Sequence, residues 1–232
     1  MKAVVVGASS GLGRCIGVDL GRRGDRVALL ARRRDRLVDA AKEAGPDALA
    51  VACDVTDESS CRAAVEEAAA GVGGIDALVY ATGIDALVYA TGIGPLAPVE
   101  KLDADAWRRA MDTNVMGAAL VTSAALPHLT KSGGIAAYLS SIGGSLTPSW
   151  PGFAAYHVSK AALEKLVEAF RVEHPSVGFT RFVVARRGGV PPCPRRRTAL
   201  RRHRPGGDRD AAPAVPGLIR RTGPNGPAPR LR

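Results

Sequence analysis

The chain has 232 residues, 46% of them hydrophobic and 23% charged, which suits one α/β domain with a sizeable core. The apolar run in its opening MKAVVVGASSGLG is too short for a signal-peptide core or a membrane span, so the expectation is a cytoplasmic protein with no membrane partner. The formal charge of +10 would raise nucleic acid as a partner, but from Arg186 onward 13 arginines, no lysine and two acids give +11, leaving −1 for the residues before them. That basic segment has no aromatic platform and no reading helix, so no nucleic-acid partner is expected.

In chain order, short apolar runs alternate with amphipathic segments of helical length, the pattern of βαβ units feeding a doubly wound parallel sheet. The first strand, Lys2–Val6, runs into Gly7-Ala8-Ser9-Ser10-Gly11-Leu12-Gly13 and a helix over Gly11–Arg23. Glycines between a strand and a helix allow a tight turn and close backbone approach, and the helix N-terminus offers N–H groups to a pyrophosphate; the plain alternative is a turn that is glycine-rich for its own packing. The second strand, Arg26–Leu30, is followed by Ala31-Arg32-Arg33-Arg34. An acid at that place would accept from the adenosine ribose of NAD. Arg32 can instead pair with a 2′-phosphate, which favours NADP(H) and leaves NAD(H) open; the other reading is a solvated basic helix start, Asp35–Ala44. The third strand, Ala48–Ala52, leads to Asp54-Val55, a carboxylate near the adenine amino group or else a helix cap, with Asp57 the better cap for a helix over Asp57–Ala70.

Next, Ile75–Gly83 and Ile84–Gly92 both read IDALVYATG. Only one copy can fill the fourth-strand slot. Ile84–Gly92 is expected there, with Ile75, Leu78, Val79 and Tyr80 bulging away from the cofactor at a closure cost of about 1 kcal/mol. A long helix, Asp103–Ser132, follows, with a disturbance expected at Pro127. Then come a fifth strand, Ile135–Leu139, ending in Ser140-Ser141, a helix over Phe153–Glu173 and a sixth strand, Gly178–Val184. Residues 185–232 hold nine of the 16 prolines and no Phe, Tyr or Trp, so the division expected is a dinucleotide-binding domain over 1–184 and an unstructured tail over 185–232. Cys15, Cys53, Cys61 and Cys193 show no CxxC or metal-ligand spacing; buried thiols and no metal are expected.

Tyr156-His157-Val158-Ser159-Lys160 puts Tyr156 and Lys160 one helical turn apart on one face. A phenol is a poor base at neutral pH, and a nearby cation favours its phenolate. Such a pair also arises by chance on many helices.

With GASSGLG, YATG, Thr-Asn-Val-Met-Gly around Asn114, the Ser140-Ser141 pair and YHVSK in this order, the segment from Met1 to Val184 resembles the short-chain dehydrogenase/reductase family. The resemblance implies a Rossmann-type fold and a cytoplasmic NADP(H)-dependent oxidoreductase that interconverts a small-molecule carbonyl and a secondary alcohol. It further implies Tyr156 as acid/base, Lys160 as its partner and a nicotinamide-ribose ligand, Ser141 orienting the carbonyl, and Asn114 holding a relay water. YATG stands where the family often has NNAG, which implies cofactor contacts at Ala90 and Gly92. Pairing of two copies through the long helices Asp103–Ser132 and Phe153–Glu173 is left open. The chain departs from the family at Val6, where Thr is usual, in the fifteen positions from Ser141 to Tyr156, and after Val184. There the usual cofactor turn and substrate lid are unrecognisable, and the composition is that of a GC-rich coding sequence read out of frame. A dinucleotide site with poor turnover is therefore expected, and the alternative function is a catalytically silent dinucleotide-binding protein.

Overall fold

A computed structural model describes residues 1–81, 97–145 and 147–184. The elements run β1 (Lys2–Val6), α1 (Gly11–Arg22), β2 (Arg26–Ala31), α2 (Arg34–Ala44), β3 (Leu49–Ala52), α3 (Glu58–Val72), β4 (Ala77–Tyr80), α4 (Ala104–Met111), α5 (Gly117–Ser132), β5 (Ile135–Ser141), a single helical turn α6 (Ile142–Ser145), α7 (Ala154–Glu173) and β6 (Gly178–Val184). The six strands form one sheet in the order β3-β2-β1-β4-β5-β6, and every neighbouring pair is parallel. The chain starts at the centre, winds out to β3 and returns to β4. This leaves a crevice at the carboxyl ends of β1 and β4, where the direction of winding reverses.

The period of two along the strands sorts side chains between two helical layers. Val4 and Val6 join a core with residues of α3, α5 and α7, including Val65, Val121 and Leu163. Val5 and Leu29 face the other way, into the packing of α1 and α2 around Val18 and Leu37. Because both faces are covered, the central strands are apolar at every position, as their sequences anticipated.

The repeat is resolved opposite to the expected register. The first copy fills the fourth-strand slot: Ala77–Tyr80 pairs with Ala3–Val6 on one side and with Ile135–Tyr138 on the other. Ile75, Leu78 and Tyr80 are buried, where the sequence reading had them exposed. The second copy, Ile84–Gly92 with Ala90 and Gly92, falls entirely in residues 82–96, outside the described residues, as does everything after Val184. The two copies are identical, so strand energetics cannot choose between them; their flanks can. Only Gly73–Asp76 separate α3 from β4. Gly73 and Gly74, both at positive φ, donate their N–H groups to Ala69 O at 2.9 and 2.7 Å. Nine more residues in this tight turn would cost about 1 kcal/mol. In the already long connection from β4 to α4 they bring 14 residues to 23 and cost about 0.4 kcal/mol. Filling the slot with one copy or the other matters far more, since each large apolar side chain it buries contributes about 1.5–3 kcal/mol.

The long helix is also interrupted in a different place from the one expected. It runs through Pro127 unbroken within α5, whereas residues Asp112–Met116, between α4 and α5, take π-helical geometry.

This near-degeneracy of the two copies has a measurable result. Leu78→Asp should lower stability by only about 1 kcal/mol, because the intact copy around Leu87 takes the slot. Leu78→Asp with Leu87→Asp should cost about 3 kcal/mol or more, since a carboxylate must then be buried. Urea unfolding midpoints of the two variants decide the matter; equal losses would mean that the slot accepts the first copy alone.

Candidate active site

The turn after β1 is shaped for close approach. Gly7 and Gly11 have φ of 83° and 57°, and a Cβ at Gly13 would lie 2.4 Å from Gly7 O, so helix α1 sits directly on the turn and only glycine fits. Ser10 caps α1 in extended geometry without a side-chain cap bond, and no acidic residue stands in the first turn. The helix N-terminus therefore keeps its partial positive charge for an anion. Arg33 turns back over this loop: its Nη2 donates to Ser9 Oγ and Ser10 Oγ, both at 2.9 Å. Arg32, the residue singled out from the sequence, is exposed and is not the one laid against the glycine loop. Leu12 packs with Ala81 and Leu139 beneath it.

At the end of β3, the Asp54 carboxylate accepts from Thr56 N at 3.0 Å and Thr56 Oγ1 at 2.8 Å, which fixes its turn. Asp57 is the N-cap of α3, accepting from Ser60 N at 2.7 Å. Val55 is buried, and a Cβ at Gly117 would meet both Val55 and the Tyr80 hydroxyl at under 3 Å. That close approach brings the Tyr80 hydroxyl to Thr113 O, to which it donates at 2.6 Å. The π-helical turn thus has its carbonyl engaged from the sheet, and the widened turn carries the neighbouring Asn114 inward. Asn114 is buried. Its Nδ2 donates to Ser159 Oγ at 2.9 Å, while Oδ1 has no partner among the described residues. A buried amide oxygen left in that state costs about 1–3 kcal/mol, so it is a ready acceptor for a water or ligand donor.

The carboxyl end of β5 meets the first turns of α7. Ser140 Oγ donates to the buried Glu164 carboxylate at 2.8 Å, turning Ser140 away as a structural brace. Ser141 is 2% exposed. Burial pushes the Tyr156 phenol up from 10 to about 12, and the Ser141 hydroxyl pulls the other way. Lys160 is fully buried. Its Nζ donates to Leu139 O at 3.0 Å and lies 5.7 Å from the Tyr156 ring centroid. Burial lowers its ammonium from 10.5 to about 7. The sequence reading expected Lys160 to lower the phenol; burial instead raises it, and Tyr156 is protonated at neutral pH.

Asn114, Ser141, Tyr156 and Lys160 thus converge at the carboxyl ends of the strands, on the side of the sheet end that also carries the glycine loop. Three contributors were missed from sequence. Arg33 was passed over for its neighbour, Ala81 takes the place after β4 that had been assigned to Ala90, and Tyr80 was expected in the bulge away from the cofactor. The free thiols of Cys53 and Cys61 are buried, and Cys15 is partly so; Cys193 lies outside the described residues. No cluster of metal-ligating side chains occurs among the described residues, and no helix among them is long and apolar enough to cross a membrane. A cavity of about 440 Å³ lined by Lys2, Glu66, Asp76 and His128 lies at the opposite end of the strands, away from this chemistry.

Residues 1–190 match the family model described as short chain dehydrogenase. The chain is 35% identical over 180 residues to a cis-4-hydroxycyclohexanecarboxylate dehydrogenase of Sinomonas cyclohexanicum, covering 76% of this chain and 68% of that protein. Against other curated relatives it spans as little as 47% of their length. Among solved structures, an alcohol dehydrogenase from the archaeon Thermococcus sibiricus complexed with 5-hydroxy-NADP superposes with a TM-score of 0.68 at 28% identity, covering 77% of this chain and 73% of that one. A 3-ketoacyl-(acyl-carrier-protein) reductase from Brucella melitensis complexed with NADH gives a TM-score of 0.68 at 25% identity, covering 78% and 75%.

The burial of Lys160 sets a testable cost. Its folded pKa lies below its ordinary value, so the folded state binds fewer protons between about pH 7 and 10.5; the penalty is full below that window and disappears above it. Lys160→Met should therefore be more stable than the parent, by about 2 kcal/mol near pH 6, with the gain shrinking as pH rises toward 10. Urea unfolding across this range measures it; a loss of stability at pH 6 would show that the Leu139 bond outweighs the burial.

Proposed function

The chain belongs to the short-chain dehydrogenase family, and from that premise we propose that it reduces a ketone on a small ring to a secondary alcohol with NADPH. The observation that carries this reading is the meeting of Ser141, Tyr156 and Lys160 at the carboxyl end of β5. The ring-borne substrate class is supported by the hydroxycyclohexanecarboxylate dehydrogenase among the relatives.

The residues present fit a dinucleotide. Gly13 lets α1 sit directly on the β1 turn, and Gly7 and Gly11 take the positive φ that the turn needs, so the N-terminus of α1 and the Ser9, Ser10 and Leu12 backbone stand where a pyrophosphate would bind. Arg33 stands over the same loop, where its guanidinium would exchange two serine hydroxyls for a 2′-phosphate in charge-assisted bonds. Arg32 supplies a second positive charge beside it. Asp54 and Val55 border the adenine side, and Ala81 borders the loop from β4. When bound, the cofactor supplies a hydride to the carbonyl carbon. The protein's own part is the proton and the orientation: Ser141 Oγ–H donates to the carbonyl oxygen, and Tyr156 Oη, protonated up to about pH 12, gives that oxygen its proton as charge develops on it. Lys160, poised near neutrality, re-protonates the phenol, and the unpaired Oδ1 of Asn114 holds a water for the return path.

Two outcomes follow. Purified protein should oxidise NADPH in the presence of a cyclohexanone bearing a carboxylate, and Tyr156→Phe should lose about 100-fold or more in kcat with cofactor affinity unchanged; tight NADPH binding without Tyr156-dependent turnover would instead establish a silent binding protein. In calorimetry the parent should bind NADPH about 10- to 100-fold more tightly than NADH. Arg33→Ala should remove most of that preference and Arg32→Ala a smaller part. Equal affinities for the two cofactors in the parent would refute the role given to the arginines.

A further inference from the structure

Helix α7 carries one more buried side chain beside the reacting groups, and the mechanism above does not use it. His157 is 2% exposed. Its Nδ1 accepts the Trp150 N–H at 3.4 Å, which places the proton of the neutral ring on Nε2, and Nε2 has no partner among the described residues. The ring is clamped: it stacks on Phe153 at 5.5 Å between centroids, meets Trp150 edge-on at 5.3 Å and tilts against Tyr156 at 5.8 Å. An apolar ring of similar size would leave the Trp150 N–H without this acceptor, so histidine supplies both the thickness of the ring and a bond that fixes its orientation.

The side of the ring bearing Nε2 presses on Gly143. A Cβ at that glycine would lie 2.2 Å from His157 Nε2 and 2.4 Å from Cδ2, closer than any real side chain allows. Gly143 in turn donates its N–H to Ser141 Oγ at 3.3 Å, and the Ser141 hydroxyl is the group that draws the Tyr156 phenol back down against its burial. A line of contacts therefore runs from α7 through the His157 ring to the Gly143 backbone and on to Ser141 Oγ, the hydroxyl that acts on the Tyr156 phenol.

We propose that His157 is a positioning residue for Ser141: its clamped ring is a spacer of fixed thickness between α7 and the turn after β5, and it holds Ser141 Oγ against the Tyr156 phenol. The proposal rests on the functional reading above for its kinetic consequence, but its structural core does not. Side chains at 143 and 157 compete for one space. A methyl added at 143 must push the turn, and Ser141 with it, away from the phenol, and a smaller residue at 157 must make room for that methyl.

The test compares the parent with Gly143→Ala, His157→Ser and the double variant, each carrying ¹³Cζ-labelled tyrosine, with the Tyr156 signal assigned by its loss in Tyr156→Phe. Gly143→Ala should move the Tyr156 signal and lower kcat about tenfold or more, with the Kd for NADPH within about threefold of the parent. His157→Ser should also move the signal, because the spacer is gone. The double variant should bring the signal back toward the parent and hold kcat within about threefold of His157→Ser alone, so that the two losses do not add. If Gly143→Ala is unfolded, recovery of folding in the double variant reads the same competition. Additive losses, or a Tyr156 signal unmoved by either single change, would overturn the proposal. If the parent turns over no ketone, the Tyr156 signal still decides the positioning role, and the failure falls on the proposed function instead.

Discussion

An ammonium group with no exposure to water is the constraint on which the arrangement of this site depends. Lys160 lies within α7 with its Nζ on the backbone carbonyl of Leu139 at 3.0 Å. That bond joins the first half of the longest helix to the carboxyl end of β5, the strand that delivers Ser141. Because burial favours the neutral amine and the carbonyl favours the cation, the group is poised near neutrality. A lysine that exchanges its proton near pH 7 is useful to a phenol that would otherwise hold its own proton until about pH 12. The pair is costly for stability and well suited to proton supply, the usual trade where chemistry is built into a core.

Around that bond, each neighbouring element is held by a contact that also bears on the chemistry. The hydroxyl of Tyr80 reaches from β4 to Thr113 O, and the π-helical turn it meets carries Asn114 inward to Ser159. Ser159 in turn donates to Tyr156 O one turn before Lys160. Gly117 is the residue that lets this happen, since any Cβ there would collide with Val55 and Tyr80. On the other side of the switch point, Gly13 lets α1 sit on the β1 turn, and Arg33 closes over the same loop. A parallel sheet aims all these groups at one end because every strand finishes there.

Much of this was readable in the sequence where the signal was local. The glycine loop follows a strand and opens a helix, and the Tyr156–Lys160 spacing needs only one helical turn, so both could be placed without knowledge of the rest of the chain. What could not be read depended on tertiary surroundings. Arg32 and Arg33 are adjacent and chemically alike, and only the path of the chain leaving β2 decides which one folds back. The two copies of IDALVYATG are identical, so the choice between them lay in the slack of the connections on either side, and in the tightness of the α3–β4 turn. The π-helical turn is encoded by Asn114 and Gly117 together with a tyrosine far away in sequence, whereas Pro127, the obvious suspect, is accommodated without a break. The direction of the Tyr156 shift followed from desolvation, which no spacing rule reports.

The account stands on Lys160 being a buried group that titrates near neutrality. Its titration can be followed directly by NMR of protein labelled at lysine ¹³Cε, with the Lys160 signal assigned by its absence in Lys160→Met. The account predicts that in the ligand-free protein this signal moves with a midpoint near pH 7, well separated from those of the surface lysines. A Lys160 midpoint at the ordinary value of about 10.5 would contradict it, and would mean that the buried ammonium is fully compensated by its surroundings.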